Sequence, residues 1–211
     1  MPHAPTQAML FLSNCDRANI PPLAIRAVEA HGTGTQAGDY SEMEAIKTAF
    51  CRDRPPVSEK SGSSSTLFVS SLKSNIGHAE SASGIASVIK AVLMLKHRTI
   101  LPHIGISTSR NPRLGDLDSH GIMIPTSARP LLPVTGYEDI FISVNNFGAP
   151  GEQSCTSYVP PQCSIDVFWI FQVETRILLF RILSIRMRLE CPMLEHITLL
   201  PFLPNRILPS L

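Results

Sequence analysis

The apolar positions of this chain change period several times, and each change marks an element. Met9, Leu10, Leu12 and Ala18 lie at loosely helical spacing, which predicts a helix over residues 6–18 that Asn19-Ile20-Pro21-Pro22 stops. Residues 24–30 alternate as a strand does and run into the loop His31-Gly32-Thr33-Gly34-Thr35. Asp39 has the character of an N-cap with Glu42 three residues on, and Met43, Ile46 and Phe50 share one face, so a helix is expected over about 39–50. Residues 52–66, rich in Pro, Ser and charge, read as a surface loop. Residues 67–72 are a short β-prone run with the character of a buried strand. Ile85, Val88, Ile89, Val92 and Leu93 then repeat at i, i+3 and i+4, the clearest helical signal in the chain, and Lys96-His97-Arg98 suit the negative end of its dipole. Small residues from Ala79 to Ala86 keep its first turns thin, so it can lie close to another backbone. Residues 101–133 are irregular and punctuated by proline, with short extended pieces such as 121–124. Residues 140–144 form another buried strand, followed by a loop over 145–151 with no further strand expected. The pattern supports the α/β class.

The last 53 residues, 159–211, differ from the rest. They contain no Gly, Ala or Lys, whereas average usage predicts about four glycines, and Ile and Leu fill 17 positions. This reads as a tail translated past an exon boundary or out of frame, or disordered. The alternative is an amphipathic helix over about 165–190 that binds a partner or lies on a membrane. A spanning helix is not expected, because Asp166, Glu174, Arg176 and Arg181 interrupt the apolar run.

With 211 residues the chain is long enough to bury a substantial core. A net charge of +1 predicts no electrostatic affinity for nucleic acid or an anionic membrane. Five cysteines without a CxxC pair argue against a disulfide framework and against a zinc site, so no metal is expected. The first fifteen residues lack the basic and apolar regions of a secretory signal, and a cytoplasmic location fits.

Chemistry concentrates in two stretches, each a strand-like run ending at a histidine: His31 with its glycines and the hydroxyls of Thr33 and Thr35, and Lys73-Ser74-Asn75-Ile76-Gly77-His78-Ala79-Glu80. Two neutral imidazoles facing one pocket can polarise a carbonyl or carboxylate from both sides. Gly32, Gly34 and Gly38 are spaced GxGxxxG rather than GxGxxG, and no acidic residue closes a second strand at the required distance, so a nicotinamide loop is rejected. His97, His103 and His120 match no motif and are expected in solvent.

Val28-Glu29-Ala30-His31-Gly32-Thr33-Gly34-Thr35, followed some forty residues later by the Lys73–Glu80 motif, resembles the C-terminal half of a β-ketoacyl synthase, specifically the ketosynthase domain of a polyketide synthase. The resemblance runs from about Thr6 to Ser154 and includes the Gly-Asp and following Glu within 38–44, Leu101-Pro102 and Asn111-Pro112. Asn145-Asn146-Phe147-Gly148 is similar to the fungal iterative type.

The resemblance implies a thiolase-like layered α/β fold, with residues 1–158 as its C-terminal half and an apolar face exposed where the other half belongs. It implies an acyltransferase of the 3-oxoacyl synthase kind, which joins acyl and malonyl thioesters by decarboxylative Claisen condensation in secondary-metabolite biosynthesis. His31 and His78 match the two catalytic histidines. Lys73 matches the lysine that, with a glutamate matched by Glu80, holds the second histidine's loop. Thr33, Thr35, Asn75 and Phe147 are supporting residues, and Gly148 matches the loop that closes the pocket.

The family's nucleophilic cysteine lies in a DTACSS-like elbow well over a hundred residues before the first histidine. Only thirty residues precede His31, and Cys15, Cys51, Cys155, Cys163 and Cys191 lack that context. Condensation by this chain alone is therefore not expected. No cofactor is expected to bind directly, since family substrates ride on the phosphopantetheine of an acyl carrier protein or on CoA. The implied partners are an acyl carrier protein, other synthase domains, or a separately encoded N-terminal half. The alternative reading is a non-catalytic pseudo-ketosynthase that binds an acyl carrier or a synthase partner.

Overall fold

The computed structural model describes residues 2–57, 65–106, 110–147, 153–159, 165–167, 169–173, 176–180 and 184–185. Helix α1 (Ala4–Ala18) opens the chain, its first turn closed by the His3 ring, which accepts the Thr6 N–H, and by Pro5, whose missing N–H costs nothing there. Asn19 ends it in the left-handed conformation. Its inward face is formed by Gln7, Ala8, Leu10, Phe11, Asn14 and Cys15, while Met9 points to solvent.

Strand β1 (Ile25–Glu29) follows, then α2 (Gln36–Phe50), β2 (Leu67–Ser70), a single turn α3 (Lys73–Ile76), α4 (Ser83–His97) and the two-residue strands β3 (Thr99–Ile100), β4 (Ile122–Met123) and β5 (Arg129–Pro130). β6 (Phe141–Phe147) and β7 (Gln153–Val159) come next, followed by β8 (Ile165–Val167), β9 (Trp169–Val173), β10 (Arg176–Phe180) and β11 (Ser184–Ile185). The main sheet runs in the order β10-β9-β7-β6-β1-β2-β4. β6, β1, β2 and β4 are parallel, and β7, β9 and β10 continue the sheet antiparallel.

β1 and β2 are buried along their whole length, so the alternation expected over 24–30 is not an in–out pattern, and even Arg26 and Glu29 of β1 are enclosed. On one face of the sheet Ile25, Val28, Leu67 and Val69 join a core with Phe11, Ile46 and Phe50 of α1 and α2. The Phe11 and Phe50 rings stack at 5.7 Å there. On the other face Ala27, Phe68, Ile142 and Val144 cluster with Ala91 and Met94 of α4. A mixed sheet layered between helices is the fold that the motifs imply.

Several expectations are corrected. α2 begins three residues before Asp39, whose carboxylate instead accepts the Gly34 N–H at 3.2 Å. The expected loop at 145–147 is the end of β6, and the further strand that was not expected is β7, paired antiparallel along β6. Its Thr156, Tyr158 and Val159 supply the β-branched and aromatic character a strand favours. Between residues 165 and 185 the described backbone forms strands rather than one helix. In the 52–66 loop, Arg54 is buried and donates to the carbonyls of Phe50, Leu23, Ile25 and Ser65, tying the loop to β1.

The largest departure concerns α4. Its inward residues are Ser83, Gly84, Ser87, Lys90, Ala91 and Met94, whereas Ile85, Ile89 and Leu93 are 52, 54 and 45 % exposed. Three residues of the apolar row that predicts the helix, Ile85, Ile89 and Leu93, thus lie on its outer face.

Candidate active site

Parallel pairing sets the ends of β1, β2 and β6 side by side, with Glu29 opposite both Ser70 and Val144. The residues just past these ends meet at the carboxyl edge of the sheet, where open α/β sheets form their ligand crevices.

The His31 loop is anchored from below by Glu42, a buried residue of α2. Its carboxylate accepts the N–H of His31 at 2.9 Å, the N–H of Gly32 at 3.0 Å and the Asn145 side-chain amide at 3.0 Å. Burial raises the Glu42 carboxyl above its ordinary range, and these donors pull it back. Gly32 has φ +44°, and a Cβ on it would stand 2.8 Å from Ser71 Cβ, so the loop requires glycine there. Ser71 Oγ donates to the His31 carbonyl at 3.3 Å.

The His31 ring is half-buried, and its Nδ1 receives the Phe147 N–H at 3.3 Å. A backbone donor arriving at Nδ1 favours a lone pair there, with the ring proton on Nε2. The Asn146 Oδ1 accepts the Ser83 hydroxyl at 3.0 Å and also lies 3.2 Å from Nδ1, a contact that the tautomer with its proton on Nδ1 would use. The Phe147 ring tilts over the imidazole at 5.4 Å. Burial lowers the His31 pKa to about 4, helped by the nearby positive charge of Lys73. The ring is neutral at pH 7.

His78 is exposed, and its ring stands edge-on to that of His31 at 5.7 Å and 88°. Its Nδ1 accepts the Glu80 N–H at 3.1 Å, which again leaves the proton on Nε2. Glu80 holds φ +46°, an uncommon conformation outside glycine, and this turn brings its N–H to the ring. The Glu80 carboxylate itself is exposed and makes no ion pair with Lys73.

The Lys73 ammonium is buried and has no hydrogen-bond partner among the described residues. Burial lowers its pKa, and the buried carboxylates Glu29 and Glu42 oppose that shift. Glu29, fully enclosed at the end of β1, pairs with Lys90 of α4 at 2.6 Å and accepts the Leu72 N–H just before α3. Lys90 also donates to Ser70 Oγ at 3.0 Å. A second buried carboxylate thus anchors the segment that carries Lys73 and His78.

A cavity of about 680 Å³ opens beside these groups, lined by Gly32, Thr33, Lys73, His78, His103 and Ile104 among others. The Thr33 and Thr35 hydroxyls lie 3.5 Å apart on the exposed loop, and Asn75 Oδ1 accepts the Ser74 hydroxyl at 2.9 Å. His103, expected in solvent, is half-buried and lines the cavity. Gly148 lies outside the described residues, as do the side chains of Cys155, Cys163 and Cys191. Cys15 and Cys51 are buried in the α1–α2 core and do not line the cavity, and burial pushes the Cys51 thiol up to about 11, which disfavours its thiolate. Among the described residues no three His, Cys, Asp or Glu side chains are grouped to hold a metal, and no helix is long and apolar enough to cross a membrane.

Reasoning from sequence missed Glu29 and Asn146 as parts of the site, and it saw Glu42 only as a helix-start residue. The 3.6-residue period places Glu42 on the inner face of α2 beside Met43 and Ile46, and a carboxylate on an inner face is a signal for buried donors.

Two imidazoles, each with a backbone N–H directed at its Nδ1, thus stand edge-on at the carboxyl edge of a layered α/β sheet. A family model described as Beta-ketoacyl synthase, C-terminal domain, matches residues 1–107, and the chain belongs to that family. Within it the chain is a C-terminal segment of a polyketide synthase ketosynthase. It is 42 % identical over 150 residues to the Atrochrysone carboxylic acid synthase of Aspergillus fumigatus, covering 71 % of this chain and 8 % of that protein. It is 44 % identical over the same length to the Non-reducing polyketide synthase gsfA of Penicillium aethiopicum, with the same coverage. Among solved structures, the ketosynthase from module 1 of the bacillaene synthase from Bacillus amyloliquefaciens superposes with a TM-score of 0.64 at 28 % identity, over 76 % of this chain and 28 % of that one. The chain thus spans under a tenth of these curated relatives and just over a quarter of the solved ketosynthase.

Proposed function

We propose that this chain supplies the histidine-bearing part of a condensing centre that joins a carrier-bound acyl group to a malonyl thioester. In that reaction the malonyl C–CO₂ bond breaks and CO₂ leaves. The electron pair passes into an enolate, whose oxygen accepts the Nε2–H groups of His31 and His78. The enolate carbon attacks the acyl thioester carbon, the new C–C bond forms, and the C–S bond breaks as the thiolate departs. The acyl group sits on a cysteine supplied by another segment. Lys73, whose ammonium has no hydrogen-bond partner among the described residues, attracts the malonyl carboxylate, while the Thr33 and Thr35 hydroxyls bond the phosphopantetheine arm brought by an acyl carrier protein.

The observation that carries this reading is the edge-on pair His31 and His78, each with Nδ1 occupied by a backbone N–H. The test combines the purified chain with a cysteine-bearing ketosynthase first half, acyl and malonyl thioesters, and measures CO₂ release and the 3-oxoacyl product. Neither half turns over alone and the mixture does. His31→Ala or His78→Ala lowers the mixture's rate by about 10²–10³-fold, the usual effect of losing one oxyanion donor. Turnover by the 211-residue chain alone, or a mixture indifferent to both substitutions, would overturn the reading.

A further inference from the structure

We propose that His103 is a positioning residue of this site, which holds through Ser71 the crossing where the His31 loop and the Lys73–His78 segment are tied together. Ser71 is that crossing. Its hydroxyl donates to the His31 carbonyl and accepts the Lys73 N–H at 3.3 Å, its carbonyl accepts the Ser74 N–H and hydroxyl, and its Cβ fills the space that Gly32 leaves. The remaining polar group of Ser71, its backbone N–H, donates to His103 Nδ1 at 3.2 Å.

His103 comes from neither loop, and its own position is fixed twice. Its N–H donates to the Pro125 carbonyl at 2.7 Å, and the next residue, Ile104, donates its N–H to Ser74 Oγ at 3.3 Å. The ring is half-buried at the cavity wall with His78 and Lys73. Burial and the Lys90 charge lower its pKa, which keeps Nδ1 able to accept. Accepting there leaves the proton on Nε2, the same tautomer as the other two rings. Without this acceptor the buried Ser71 N–H has no partner, and the crossing can shift.

The inference rests on the reading of His31 and His78 as the working pair, but its test needs no turnover. The full 211-residue chain is labelled with ¹⁵N, and long-range ¹H–¹⁵N spectra report the tautomer and titration of each imidazole. His103→Asn places Oδ1 where Nδ1 was and keeps an acceptor, whereas His103→Leu fills the space without one. The Asn chain is expected to keep the His31 and His78 signals of the unchanged chain. The Leu chain is expected to raise the His31 midpoint by at least about half a pH unit toward 6.5 and to turn the His78 signal into a tautomer average. A folded Leu chain with both rings unchanged would overturn the proposal, and so would Asn and Leu chains altered alike. If the Leu chain does not fold, the Asn chain decides: native ring signals uphold the proposal and altered ones sink it. Failure of the condensation reading would appear instead as His31→Ala leaving the reconstituted rate intact, with these spectra unaffected.

Discussion

The two histidine loops reach the same ring state by different means. His31 lies half-buried and receives its Nδ1 bond from Phe147, on a strand brought alongside only by the folded sheet. His78 is exposed and receives its bond from Glu80, two residues on, at the cost of a left-handed residue. Beneath each loop lies a buried carboxylate, and these differ too. Glu42 is surrounded by N–H donors alone, whereas Glu29 adds the Lys90 ammonium. Tertiary anchoring makes His31 neutral and fixed. Local anchoring leaves His78 open to solvent and to whatever enters the cavity.

Substitutions can break this contrast in graded steps. Glu42→Ala removes the shared acceptor of the His31 and Gly32 N–H groups and of the Asn145 amide and is expected to cost on the order of 4 kcal/mol in denaturant unfolding. A cost below about 1 kcal/mol would show that the His31 loop is held by something else. Lys90→Met strands the Glu29 carboxylate and is expected to cost about 3 kcal/mol. The double substitution Glu29→Gln, Lys90→Met should recover most of that, and failure to do so would point to the shape of the pair rather than its charge.

pH separates the loops without mutation. The folded pKa of His31, about 4, lies below the ordinary 6.5, so as pH falls the unfolded chain takes up the proton first. This group's contribution is therefore constant above about pH 6.5 and is lost progressively down to about pH 4. The expected loss is about 1–2 kcal/mol after allowing for the part of the ring that solvent screens. Unfolding midpoints across that range check it, and a His31→Asn chain should lack this part of the slope. The smallest effect belongs to Glu80→Gly, which removes a left-handed side chain with an exposed carboxylate. Its unfolding free energy should hold or rise slightly, within about 1 kcal/mol. A clear drop would reveal a partner for that carboxylate.

The fold was largely legible because β1, β2, α2 and α4 have strong periods and the two His-Gly motifs fall where strands end. What stayed hidden depended on contacts far apart in sequence. The row Ile85, Ile89, Leu93 announces a helix with one apolar face, but periodicity cannot say which side the sheet occupies. The small and polar residues Gly84, Ser87 and Lys90 on the opposite side reach the interior because Lys90 has Glu29 to meet. The resemblance paired Glu80 with Lys73, yet a motif does not show that a left-handed turn leaves its carboxylate exposed. His103 carried no motif, and its site role becomes visible only once the Leu101-Pro102 loop is folded back onto Ser71.

The outward row on α4 also governs how the isolated chain behaves in bulk. At a net charge of +1, long-range repulsion between copies is weak at neutral pH, and an uncovered line of isoleucine and leucine gives them a reason to stick. Colloidal behaviour, rather than unfolding, then limits handling. Sulfate should drive the chain from solution at concentrations that an evenly polar protein of this size tolerates.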